Sequence, residues 1–174
     1  MSRLSKYFTR MGMRGIHGIR NEEGTAIVEM ALSSIVLFAM FFGIFEASMA
    51  CYSSNYVSDA ARQATRWAIV RGSMCTHNSN GLLDHCNATS DDVTNYVKSL
   101  GYPGFKNSNM SVSTDWYTPS ASTPTTWTLC SSGTCNQPGY LVKVVVTYSF
   151  PLAIPFVPHR TLSLSSTSQM VVSQ

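Results

Sequence analysis

An uncharged apolar run, residues 30–45, sets the terms for any fold this chain adopts. With its flanks, 25–28 and 47–51, it reaches the roughly 20 residues that a membrane-spanning helix needs. Two acids bracket the run: Glu29 in its first turn and Glu46 where it ends. A charge at membrane depth costs about 2.5–3.5 kcal/mol on insertion scales, so such a residue is usually paired or functional. Arg3, Lys6, Arg10, Arg14 and Arg20 lie before the run and outnumber Glu22 and Glu23 by three, which is the whole net charge of +3. By the positive-inside tendency this basic arm stays in the cytoplasm and everything after Cys51 goes outward. A cleaved secretory signal shares the basic start. Its apolar part should be shorter, about 7–15 residues, and although Ala47-Ser48-Met49-Ala50 loosely fits a cleavage site, Glu46 sits badly beside it. That reading predicts a secreted domain beginning at Cys51.

The residues beyond the arm carry seven basic and seven acidic side chains and sum to zero. Nucleic-acid binding needs Lys and Arg gathered on the folded domain, so no nucleic-acid partner is expected. The outer residues are instead rich in Ser, Thr and Asn, as suits an extracytoplasmic module.

Ala39, Gly43, Ala47 and Cys51 recur every four residues. On a helix they form a narrow stripe of small side chains that would let a second helix approach closely. Glu46 lies near that face and is expected to point toward a partner rather than toward lipid. Beyond the run, Val57, Ala60, Ala61, Ala64, Trp67 and Ala68 keep helical spacing, with Asp59, Arg62, Gln63 and Arg66 opposite and Gly72 placed as a stop. One helix over 25–71, about 70 Å long at about 1.5 Å per residue, is apolar all round in its first half and amphipathic in its second.

Thr89 or Ser90 followed by Asp91 and Asp92 makes a good helix start, because side-chain oxygens cap exposed amides and acids favour the positive end. Val93, Tyr96, Val97 and Leu100 share a face, and Gly101-Tyr102-Pro103 ends the element. The pattern then turns to strands at 110–117, 126–130, 140–150 and 161–172, with Pro, Gly and Ser turns between them. Within the last of these, Leu162, Leu164, Ser166 and Ser168 alternate with Ser163, Ser165, Thr167 and Gln169. The expected fold is α+β: a long N-terminal transmembrane and amphipathic helix packed on a small antiparallel β-sheet domain.

Cys75 and Cys86 flank a polar loop, and Cys130 and Cys135 bracket "SSGT". In an oxidising compartment two short-range disulfides are the economical assignment. Four cysteines permit three pairings, and spacing does not choose among them. Zinc is the rival, because "CTHNSNGLLDHC" gathers Cys75, His77, His85 and Cys86; the spacing matches no common structural zinc pattern, and no metal or cofactor is expected. His159 and His17 have no nucleophile at a catalytic spacing, so neither an enzyme nor a small-molecule substrate is expected.

A basic leader ending in Gly24, then Thr25, then Glu29 five positions after the glycine at the head of an apolar helix, resembles the class III signal of type IV pilins. The stretch "EGTAIVEMALSSIVLFAMFFGIFEASMACYSSNYVSDAARQATRWAI" more specifically resembles the TadE-like minor pseudopilins of tight-adherence (Tad) pilus systems. The closing segment "YLVKVVVTYSFPLAIPFVPHRTLSLSSTSQMVVS" resembles that family's last strands more weakly. The chain departs from the related major pilins at Met30, where an aromatic residue usually follows the glutamate. The resemblance implies a leader over 1–24, cut between Gly24 and Thr25 by a prepilin peptidase. It further implies a transmembrane helix over 25–51, an amphipathic extension over 52–72 and an extracytoplasmic pseudopilin domain over 73–174. The protein would sit in a bacterial inner membrane as a single pass and assist assembly of an adhesive pilus. Its implied partners are other pilins and the inner-membrane assembly platform. Glu29 and Glu46 would serve assembly, and Ala39, Gly43 and Ala47 helix packing. The other reading is an uncleaved single-pass envelope protein with a partner-binding outer domain.

Overall fold

A computed structural model describes residues 22–75, 86–120, 126–130, 135–153 and 160–173. The chain divides into two compact units, Met1–Met40 and Phe41–Gln174. Within the first, the described residues are helical throughout and belong to α1 (Glu22–Ile69). Their large apolar side chains face outward: Ile27 is 70 % exposed and Met30 73 %. Ser34 Oγ donates to the Met30 carbonyl at 2.7 Å. Its hydroxyl is thereby satisfied without water, as an apolar surrounding requires.

The second unit holds the remainder of α1, then α2 (Ser90–Ser99), a short 3-10 turn at Asn107–Asn109, and strands β1 (Met110–Pro119), β2 (Trp127–Leu129), β3 (Leu141–Leu152) and β4 (Arg160–Val171). The sheet runs in the order β2-β1-β3-β4 with every neighbour antiparallel. Its register runs from Met110↔Tyr148 to Tyr117↔Leu141 across β1 and β3, and from Leu141↔Val171 to Leu152↔Arg160 across β3 and β4. Pro151 stands beyond the last β1 pair, where β3 has one neighbour, a position a strand proline tolerates.

Period-two alternation places Val142, Val144, Val146, Tyr148 and Phe150 on one face of β3, all buried. Against them lie Val57, Ala60, Ala61, Ala64 and Ala68 of α1 and Val93 and Val97 of α2. Three of these alanines, Ala60, Ala61 and Ala64, have no exposed surface. Tyr56 joins Tyr102 and Phe105 at centroid distances of 4.2 and 4.0 Å, and Phe105 reaches Tyr148 at 4.7 Å. The amphipathic half of α1 therefore buries its small-residue face as its spacing predicts.

α2 begins with a capping box: the Thr89 amide donates to Asp92 Oδ2 at 2.9 Å, and the Asp92 amide donates to Thr89 Oγ1 at 3.3 Å. Gly101, at φ +59°, supplies the left-handed residue after its end. The end of α1 differs from the sequence expectation. The helix stops at Ile69, three residues before Gly72, and Gly72 is not among the positive-φ glycines. Tertiary bonds stop it: the Ile69 carbonyl accepts from both the amide and the hydroxyl of Ser173, each at 3.1 Å, and the Ser73 amide donates to the Asn136 carbonyl at 2.9 Å.

Candidate functional site

Gly24, Thr25 and Glu29 share the first turns of α1, where they border a shallow groove with Val28, Leu32 and Ser33. Helical periodicity brings Thr25 and Glu29 to one face, four residues apart. Glu29 is exposed, as are the apolar residues around it. The segment preceding Glu22 lies outside the described residues. α1 is long and apolar enough to cross a membrane, and none of its most apolar stretch is buried inside the protein.

In the second unit Gly43 and Ala47 are exposed, as is Ala39 in the first. A Cβ added to Gly43 would meet nothing within 4 Å, so no described residue of this chain requires the glycine. Glu46, expected to face a partner helix, makes a bond within its own chain. Its Oε1 accepts the backbone N–H of Ala153, one residue past β3, at 2.8 Å. A strand end leaves amides unpaired, and a carboxylate is the strongest acceptor that can reach one.

Cys75 is bonded to Cys86 and Cys130 to Cys135, with Cα separations of 5.4 and 6.2 Å. Cys51 is exposed and outside any disulfide. His77, His85 and His159 lie outside the described residues, as does His17. Among the described residues no three of His, Cys, Asp and Glu gather as metal ligands would. Trp67 stacks on Tyr96 at 5.0 Å with the Arg71 guanidinium 4.3 Å from its ring centroid, which holds the far end of α1 to α2.

Sequence reasoning had no view of Ala153, since nothing local marks an amide that will receive a carboxylate 107 residues earlier in the chain. It likewise missed Thr114 and Asn136, two buried polar residues whose setting arises only once β1 and the disulfide-closed corner meet. Alternation along β1 could have placed Thr114 on the covered face; Asn136 carried no signal.

An apolar helix with its first turns bare and its later turns laid on an antiparallel sheet defines a helix-anchored α+β protein. Residues 24–66 match the model of the family described as TadE-like protein, so this segment of the chain is similar to that family. The match ends within α1 and does not extend to the sheet. No curated protein and no solved structure matches the chain significantly.

Proposed function

We propose that the protein is a membrane-anchored minor pseudopilin of a Tad pilus machine, processed between Gly24 and Thr25 and joined to neighbouring pilins through α1. The observation that carries this reading is the placement of Gly24, Thr25 and Glu29 at the head of an apolar helix whose most apolar stretch is left uncovered by the described residues of its own chain. Cutting the Gly24–Thr25 bond creates a cationic amine at the mouth of that helix. A carboxylate buried alone is costly, whereas one paired with an amine is tolerated and fixes register. Glu29 then favours a correctly staggered neighbour over a misplaced one. Ala39, Gly43 and Ala47 leave room for that neighbour's helix, and Glu46 contributes by fastening α1 to its own sheet domain. The basic arm faces the cytoplasm and the sheet lies outside, with a single span between them. In this role the protein primes or caps pilus growth, or adapts the inner-membrane platform to the major pilin, with a prepilin peptidase as its processing partner.

A second reading, the uncut single-pass envelope protein, is favoured by one observation: the Gly24–Thr25 peptide is helical, within α1, rather than in an extended segment. Mass spectrometry of the protein isolated from its own cells decides between them. A mature chain starting at Thr25 supports the pseudopilin; one retaining the arginine-bearing arm supports the uncut protein and overturns the first reading.

A further inference from the structure

A cavity of about 370 Å³ opens where α2 starts beside β1, lined by Thr89, Thr114, Trp116, Leu129 and Asn136 next to the Cys130–Cys135 bridge. Two oxygens of its lining residues, Thr114 Oγ1 and Asn136 Oδ1, have no hydrogen-bond partner among the described residues. Both residues are buried, at 9 % and 5 % exposure. The Asn136 amide is oriented from its other end: Nδ2 donates to Asn87 Oδ1 at 2.8 Å and to the Ala88 carbonyl at 3.5 Å. Oδ1 is therefore an acceptor in want of a donor. A buried polar group left bare in this way carries its full desolvation penalty, and native proteins keep few of them. Asn87, which holds the amide, is itself at positive φ, +62°. The corner is tied further by the Ala88 amide on the Arg71 carbonyl at 2.9 Å.

Charge narrows the ligand. Among the described residues no Lys or Arg lines the cavity, and Asp115 does. The opening turn of α2 adds Asp91 and Asp92, and its capping box already occupies the amides of Thr89 and Asp92. An anion would meet repulsion at a helix end that is already capped. A hard cation wants about six to eight oxygen ligands, and no metal-ligand cluster exists among the described residues. What fits is a neutral molecule rich in hydroxyl donors, with a C–H face for Trp116 and Leu129. The volume lies at the small end of ligand pockets, about 300–1,000 Å³, which suits one or two sugar rings.

We propose that this cavity binds a neutral sugar residue, whose hydroxyls donate to Asn136 Oδ1 and bond Thr114 Oγ1 while its apolar face lies toward Trp116 and Leu129. The proposal is independent of the pilus reading, because an uncut envelope protein would carry the same cavity. The test uses the full chain in a zwitterionic detergent that contains no sugar. Saturation-transfer NMR is recorded with D-glucose, D-galactose, D-mannose and N-acetyl-D-glucosamine, each at about 10 mM, so that millimolar affinities register. At least one sugar is expected to show transfer. Thr114→Val should weaken that binding by at least about fivefold with an unchanged or higher melting temperature, since it removes a hydroxyl that has no partner among the described residues. Leu129 is 62 % exposed, so Leu129→Arg should block the mouth without disturbing the fold. Absence of transfer from all four sugars overturns the proposal, as does wild-type binding by both variants.

Discussion

Glu46 and Ala153 are joined by a 2.8 Å hydrogen bond from the Ala153 amide to the Glu46 carboxylate, across 107 residues of sequence. Glu46 ends the uncharged run of α1, and Ala153 follows the last residue of the central strand β3. The bond fixes where the helix meets the sheet domain.

Glu46→Ala should therefore lower the stability of the sheet domain by about 1 kcal/mol, a charge-assisted bond discounted for partial exposure. Glu46→Gln retains an acceptor and should fall within about 0.5 kcal/mol of wild type. Thermal unfolding of the detergent-solubilised protein reads both. Equal stability of all three proteins would show that the bond contributes nothing in solution.

Ala60 has no exposed surface on the face of α1 that meets the sheet. Ala60→Leu should destabilise by about 1–3 kcal/mol through overpacking, seen as a melting point lower by several degrees. Arg62 is exposed on the same turn, and Arg62→Ala should leave the melting point nearly unchanged. A fully tolerated leucine would mean that the core around Ala60 has room for a larger side chain.

Burial, and then the neighbouring Tyr102, push the Tyr56 phenol from its ordinary 10.0 up to about 12. The folded state thus favours the neutral phenol. Its contribution to stability is complete below pH 10 and is lost as pH climbs from 10 to about 12. Tyr102 is also raised, first because its hydroxyl donates to Asp59 at 2.7 Å. Urea midpoints should fall between about pH 9 and about pH 11, and Tyr56→Phe should flatten that fall in part. An identical alkaline slope in the variant would reject burial of Tyr56 as its source.

Glu29→Ala should leave membrane insertion and maturation intact while reducing crosslinking to other pilins, and Gly24→Leu should block maturation. Immunoblots of membrane fractions report both. Normal processing of Gly24→Leu would exclude that glycine as the cut site.

Much of this architecture was legible where a single element carries its own signal. β1 and β3 start within one residue of the alternation in the sequence, and Thr89 or Ser90 ahead of Asp91 and Asp92 marks the start of α2. The core face of α1 was legible because Val57, Ala60, Ala61, Ala64 and Ala68 repeat at helical spacing. The end of α1 was not: Gly72 looked like a stop, but Ser173 takes the Ile69 carbonyl first, and a bond from the far end of the fold leaves no local trace. For the same reason the bond that the Ala153 amide donates to Glu46 left no mark in the sequence. The unsatisfied oxygens of Thr114 and Asn136 belong to this class too, since they exist only where a strand, a cap and a disulfide corner converge.

The stretch of α1 from Glu46 to Ile69 is fastened to the sheet domain at both extremities, by Ala153 at one and Ser173 at the other. Tension applied along this stretch of helix would therefore enter the β-domain at two separated anchorages rather than through side-chain packing alone. Sliding the rod by a single turn would require both to yield together, so the joint resists pulling as a riveted strut does.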